Sequence, residues 1–198
     1  FEIRQMLDED RRKLIPTASV ESVSRFLIDH LYEPWIYYNA MVAEFLEKHG
    51  ALDIDYLERT AGLLERSIGN GVRHGKSERT YSGVFIQPDR NEITAYSNIS
   101  GIRLLRMLKR NGIQVTEPDY VGMLEFVVDI RNPDKPFGFP WGKGGPPNIE
   151  ATYIAKESLE FLYEVGAIDS ENLRKLKDEI EEFARSCRDT SGGFSSYF

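Results

Sequence analysis

A chain of 198 residues, 41% hydrophobic and 29% charged, has the balance of a soluble globular domain with a core of its own. Its net charge of −7, with lysines and arginines scattered among acids, excludes a nucleic-acid partner. The single cysteine, Cys187, rules out an internal disulfide framework and a cysteine-cluster zinc site, and no apolar run reaches the ~18–20 residues of a membrane span.

Residues Glu2 to Leu14 interleave charge with Ile3, Met6, Leu7 and Leu14, which predicts a short amphipathic helix ending before Pro16. The chain opens on Phe1 without a charged-then-apolar leader; the expectation is a processed chain, or part of something longer, in the cytoplasm. Thr17-Ala18-Ser19 supplies N-cap chemistry for a second helix with Val20, Val23, Phe26, Leu27 and Leu31 inward. Pro34 then starts a helix whose apolar face is Trp35, Tyr38, Met41, Val42, Phe45 and Leu46, closed by His49-Gly50.

Asp53 or Asp55 caps the next helix, carrying Leu57, Ala61, Leu64 and Ile68 and stopping at Gly69-Asn70-Gly71. A loop follows from Val72 to Asp89, in which Val84-Phe85-Ile86 is the one hint of a strand. Ile93 to Arg110 reads as helical, with Ile99, Ile102, Leu105 and Leu108 inward and Asn111-Gly112 at its end. Glu117-Pro118-Asp119 opens a helix with Val121, Leu124, Val127, Val128 and Ile130, broken at Asn132-Pro133-Asp134. After a Gly/Pro-rich loop, Ile149 to Gly166 reads as a helix carrying Tyr153, Leu159 and Leu162. Ser170 to Ser186 does the same with Leu173, Leu176, Ile180, Phe183 and Ala184.

These helices fall into a repeat. Small-aromatic turns end at Phe85, Phe139 and Phe194, which stand 54 and 55 residues apart. Gly50-Ala51-Leu52-Asp53 matches Gly166-Ala167-Ile168-Asp169, with Gly112-Ile113 in the equivalent place between them. Asn91 to Tyr96 matches Asn148 to Tyr153. The predicted fold is all-α: one domain over 1–198, with leading helices over 1–33 and αα-hairpin repeats over 34–85, 86–139 and 140–198.

Pro147 to Ala155, with Phe183-Ala184-Arg185-Ser186-Cys187-Arg188-Asp189-Thr190-Ser191-Gly192-Gly193-Phe194, resembles the prenyltransferase and squalene-cyclase (terpenoid cyclase) repeat. The resemblance covers roughly Pro34 to Phe198 and implies an α/α toroid whose inner helices line a cavity for isoprenoid chains. In that family a closed ring takes five or six hairpins. About three clear copies here imply a partial or open toroid, closed by a homodimer partner or by a missing protein segment. The zinc ligands of the protein prenyltransferases have no counterparts at the helix starts Ile93 to Tyr96 and Glu150 to Tyr153, so no metal and no cofactor is expected. Asp53-Ile54-Asp55-Tyr56 resembles the cyclase acid motif only superficially.

Three groups of residues are candidates for a site. The basic loop holds Arg73 and His74, suited to an anionic group. The glycine-rich loop holds Trp141, suited to stacking on a sugar or an apolar chain. The starts of the inner helices hold Trp35, Tyr37, Tyr38, Glu92, Tyr96, Glu150 and Tyr153, where aromatic rings and carboxylates would surround the mouth of a cavity. The expected function is a toroid protein holding an apolar or isoprenoid ligand. A carbohydrate-acting toroid enzyme and a non-catalytic interaction module are the alternatives, with no specific reaction legible.

Overall fold

The computed structural model describes residues 18–30, 35–73, 80–132, 137–140 and 145–188. Among them the helices are α1 (Ala18–His30), α2 (Ile36–Lys48), α3 (Ile54–Ser67), α4 (Ala95–Arg110), α5 (Tyr120–Asp129), α6 (Ile149–Glu164) and α7 (Ser170–Ser186). Three strands, β1 (Ile68–Arg73), β2 (Thr80–Gln87) and β3 (Arg90–Ile93), lie between α3 and α4. The chain is thus mostly helical with a small sheet. None of the described helices is long and apolar enough to cross a membrane.

The helices pair through one recurring corner. After α2, α4 and α6 the chain turns through Gly50, Gly112 and Gly166, with φ of 65°, 76° and 79°. A side chain is disfavoured in that left-handed region, so glycine is the residue that suits it. The next N–H returns to the helix: Ala51 N donates to Leu46 O at 2.9 Å, Ile113 N to Leu108 O at 2.9 Å, and Ala167 N to Leu162 O at 2.8 Å. The accepting leucine is fully buried in every case, and burying a side chain of that size contributes about 1.5–3 kcal/mol. An aspartate then starts each second helix. Asp53, Asp119 and Asp169 accept from Tyr56 N, from Val121 and Gly122 N, and from Asn172 N, respectively.

The first helices of the three hairpins lie side by side, α2 on α4 and α4 on α6, while α3, α5 and α7 pack behind them. The start of each first helix is fixed by a buried polar side chain four residues after its N-cap: Asn39, Asn98 and Thr152. Asn98 Oδ1 accepts from Val84 N at 2.8 Å, and Thr152 Oγ1 accepts from Phe139 N at 2.9 Å. The segment that leads into each of these two helices is therefore tied to that helix's first turn. Phe85 and Phe139, the two described turn phenylalanines, are both buried.

Several sequence expectations change. Gly69 to Arg73, expected as a helix stop and the start of a loop, and Thr80 to Gln87, expected within that loop, are instead strands of an antiparallel sheet ordered β1-β2-β3. Ile68 pairs with Val84 and Gly69 with Gly83; after an irregularity, Val72 pairs with Tyr81. Glycine at 69 is required by packing, because a Cβ there would lie 2.2 Å from Phe85 Cζ. Val84-Phe85-Ile86, the one hint of a strand, lies within β2; the rest of β2 gives no such hint because Tyr81 to Phe85 is buried on both faces, between α4 and α5, which removes the alternation a half-exposed strand would show. Ile93 belongs to β3 rather than to the helix, which begins after the Thr94 cap.

Phe26, Tyr38, Met41, Val121, Val128 and Tyr153, read as apolar positions of their helices, are exposed. In α2 the buried stripe runs instead through Ile36, Asn39, Ala40, Val42, Ala43 and Leu46. The helix expected over Glu2 to Leu14 and the turn at Ser191 to Phe194 lie outside the described residues.

Two glycine-to-alanine substitutions separate packing from helix propensity. At Gly101 in α4 a Cβ would meet Val84 Cγ2 at 2.5 Å, so Gly101→Ala is expected to lower stability by about 1–3 kcal/mol. At Gly62 in α3 the nearest atom is the flexible Arg66 Nη1 at 3.4 Å, so Gly62→Ala should raise stability by up to about 1 kcal/mol. Urea-denaturation midpoints read both, and equal effects would refute the packing account.

Candidate functional site

At the N-terminal ends of α2, α4 and α6 the structure gathers most of the third candidate group. The Tyr37 ring meets the Tyr96 ring edge-on, with centroids 4.8 Å apart and planes at 89°. Tyr38 lies 5.5 Å from Tyr37 and 6.3 Å from Trp35. Arg90, from β3, stands over the Trp35 ring at 5.8 Å, near enough for cation–π attraction. From the third helix Glu150 completes the group: its Oε1 accepts a hydrogen bond from Tyr96 Oη at 2.8 Å.

The local sequence explains this convergence. Tyr37 and Tyr38 occupy the first turn of α2, so two adjacent rings project over the same helix end. Tyr96 and Glu150 are separated by 54 residues, the interval between α4 and α6, and so hold equivalent places at neighbouring helix starts. Thr94 caps α4 through a reciprocal pair with Ser97, and Asn148 caps α6 through Ala151 N, which fixes both helix starts.

Tyr96 is held protonated. Burial pushes its phenol pKa well above the ordinary 10.0, and the neighbouring Glu150 carboxylate pushes it further. At neutral pH Tyr96 is therefore a hydrogen-bond donor and Glu150 an acceptor. The pair orients a carboxylate at the edge of an aromatic surface.

The other predicted residues divide. Tyr153 is on the right helix but not in the cluster: it is 64% exposed, and its ring meets Lys156 of its own helix at 5.7 Å. Arg73 ends β1, opposite Thr80. His74 and Trp141 lie outside the described residues. Among the described residues no group of three or more His, Cys, Asp and Glu side chains is placed to hold a metal ion.

Sequence reasoning passed over the ionic ladder further along the same row. Arg103 of α4 donates through Nε and Nη2 to Glu157 of α6 at 3.0 and 2.8 Å, and its Nη1 lies 3.3 Å from Glu44 of α2. Arg110 Nη2 contacts both carboxylate oxygens of Glu47 at 2.9 Å, and Arg106 pairs with Glu164. The Glu157 hydrogen bond chiefly raises the Arg103 pKa. The signal was present in the sequence: arginines at 103, 106 and 110 share one helical face, and Glu157 follows Arg103 by the same 54 residues that separate Tyr96 from Glu150. No family model matches this chain, and no curated protein matches it.

Two measurements check this electrostatic picture. Tyr56 and Tyr120 are both pushed up to about 12, chiefly by burial, and Tyr96 is also raised. Since the folded values exceed the ordinary 10.0, stability from these phenols is complete below about pH 10 and lost as pH rises through the folded values. The unfolding midpoint should therefore fall steeply above that pH, and less steeply in Tyr56→Phe. An alkaline limb unchanged in that variant would contradict the assignment. Arg103→Gln should lower stability by about 1 kcal/mol or less at low salt, since the side chain is 38% exposed, and the difference should shrink in concentrated salt.

Proposed function

We propose that this chain is a hairpin array of the α/α-toroid type, related to the prenyltransferase and terpenoid-cyclase repeat proteins, and that it holds its ligand over the aromatic end of the α2–α4–α6 row. The observation that supports this reading is the run of neighbouring rings Trp35–Tyr38–Tyr37–Tyr96, edge-on at its two ends, tilted in the middle and reaching solvent at Tyr38. Such rings offer flat apolar faces with negative π density. These suit an isoprenoid chain through packing area, and an allylic carbon carrying partial positive charge through its attraction to the ring face.

The ladder sets the extent of that ligand. Beyond the first turns the same face is occupied by Glu44, Arg103 and Glu157, and covering these ions with an apolar chain would strip them of water at considerable cost. The apolar part of the ligand is accordingly short, confined to the rings, with Met41, exposed one turn along α2, as its far limit.

A saccharide is the second reading, and the Tyr96–Glu150 pair favours it. A carboxylate beside stacked aromatic rings is the arrangement that takes a sugar, with ring faces against C–H bonds and the carboxylate against hydroxyls.

Thermal unfolding with farnesyl diphosphate and, separately, with a panel of oligosaccharides decides between them, because a ligand that binds only the folded state raises the midpoint. The first reading expects a rise with the prenyl compound that Tyr38→Ala abolishes without changing the ligand-free midpoint, since Tyr38 is exposed. A rise with an oligosaccharide that Glu150→Gln abolishes supports the second. A response to neither class refutes ligand binding at the aromatic end for both.

A further inference from the structure

The helices behind the row turn different faces to solvent. The exposed residues of α3 are charged apart from Ile54, and those of α7 are all charged or polar. α5, between them in the chain, does the opposite. Its exposed residues are Val121, Glu125 and Val128, and Leu124 is half-buried. Val121 is 58% exposed and Val128 38%. Residues three, four and seven apart share one side of a helix, so Val121, Leu124 and Val128 form a single apolar ridge. A scattered exposed valine needs no explanation, whereas an ordered ridge beside two charged helices marks an interaction surface.

Beside the ridge a groove of about 300 Å³ runs between α5 and α7. Leu124 and Val128 line it from α5, and Ala167, Ile168 and Leu176 line it from the α7 side. Its polar lining is mostly engaged already. Asp169 accepts from the main-chain and side-chain nitrogens of Asn172, and Arg131 pairs with Glu179. Lys175, also in the lining, has no ion-pair partner among the described residues, and neither has Glu125. Successive residues stand about 100° apart around a helix, so Glu125 lies on the flank of the ridge turned away from Leu124 and the groove.

These features sit in the order that two-fold symmetry uses. When two copies face each other about an axis running along the helices, the ridge of each lies over the groove of the other. Each Glu125 then approaches the other copy's α7, the helix that carries Lys175. A ridge with a receptor groove alongside it, flanked by one unpaired charge of each sign, is complementary to itself. That match is what singles out a second copy as the occupant.

We propose that the α5–α7 face is an interface with a second copy of this chain, the same patch serving on both sides. Val121, Leu124 and Val128 of each copy fill the groove of the other, and Glu125 pairs with Lys175 across the axis. The face belongs to the layer behind the aromatic row, so the proposal does not rest on the ligand reading. Every contact is made twice, which doubles the effect of a substitution on association.

Sedimentation equilibrium of the full chain reads the association. A reversible monomer–dimer equilibrium is expected, with an unfolding midpoint that rises with protein concentration. Val121→Glu combined with Val128→Glu should weaken the dimer by about a hundredfold or more, because it carries charges into both apolar grooves. Its circular dichroism should be unchanged, since both side chains are exposed. Glu125→Lys and Lys175→Glu should each weaken the dimer by about tenfold, and both reversals in one chain should restore it.

A monomer at all concentrations up to about 100 μM, assembly that grows beyond two copies, or an affinity unchanged by the paired valine substitutions would overturn the interface. Should the valine variant fail to fold, the charge reversals decide. Loss in each single reversal with recovery in the double supports the two-fold arrangement, and either no loss or losses that add refute it.

Discussion

One hydrogen bond organises this molecule: the N–H that follows a left-handed glycine and returns to the carbonyl of a buried leucine. It occurs at Gly50, Gly112 and Gly166 with nearly the same length each time, and it sends the chain back along the helix it has just left. Because the accepting leucine is itself in the core, the corner cannot open without exposing apolar surface. Local backbone geometry and burial therefore reinforce each other at the same residue. With three corners alike, α2, α4 and α6 can stand in one row and present equivalent positions to their neighbours.

The row has consequences for chemistry. Residues 54 apart become partners, so Tyr96 finds Glu150 and Arg103 finds Glu157. The exposed side of the row consequently carries two surfaces of different character. At the N-terminal end it is aromatic with a single oriented carboxylate. Further along it is ionic, with arginines from the central helix held by glutamates from both flanks. The helix order α2–α4–α6 sets which charges meet, and the start of each helix sets which rings meet.

Much of this was legible in sequence, for identifiable reasons. Gly50, Gly112 and Gly166 announce the corners because few other residues tolerate that φ, and Asp53, Asp119 and Asp169 announce the following helix starts because a short carboxylate suits an N-cap. Trp35, Tyr38, Tyr96 and Glu150 were found by the same logic of helix starts. β2 was legible only at Val84-Phe85-Ile86 because burial on both faces erases its period, and Gly69 imitated a helix stop although it serves to admit the Phe85 ring. Tyr153 shares a helical stripe with Leu159 and Leu162 in sequence, yet it is exposed while they are buried. The ladder stayed unseen because single charged residues look alike until the pairing of helices is known.

The ties that fix the helix starts carry a further consequence. Asn98 and Thr152 each accept from a main-chain N–H, at Val84 and Phe139, and take no part in recognising the side chain there. An anchor of this kind is indifferent to the identity of the residue it holds, proline excepted, and to the route by which that residue arrived. The connection into α4 can therefore carry a three-stranded sheet, while the one into α6 has no sheet among its described residues, and both helices begin in the same manner. Connections between hairpins are thereby free to lengthen, shorten or acquire new structure, while the row they feed keeps its spacing.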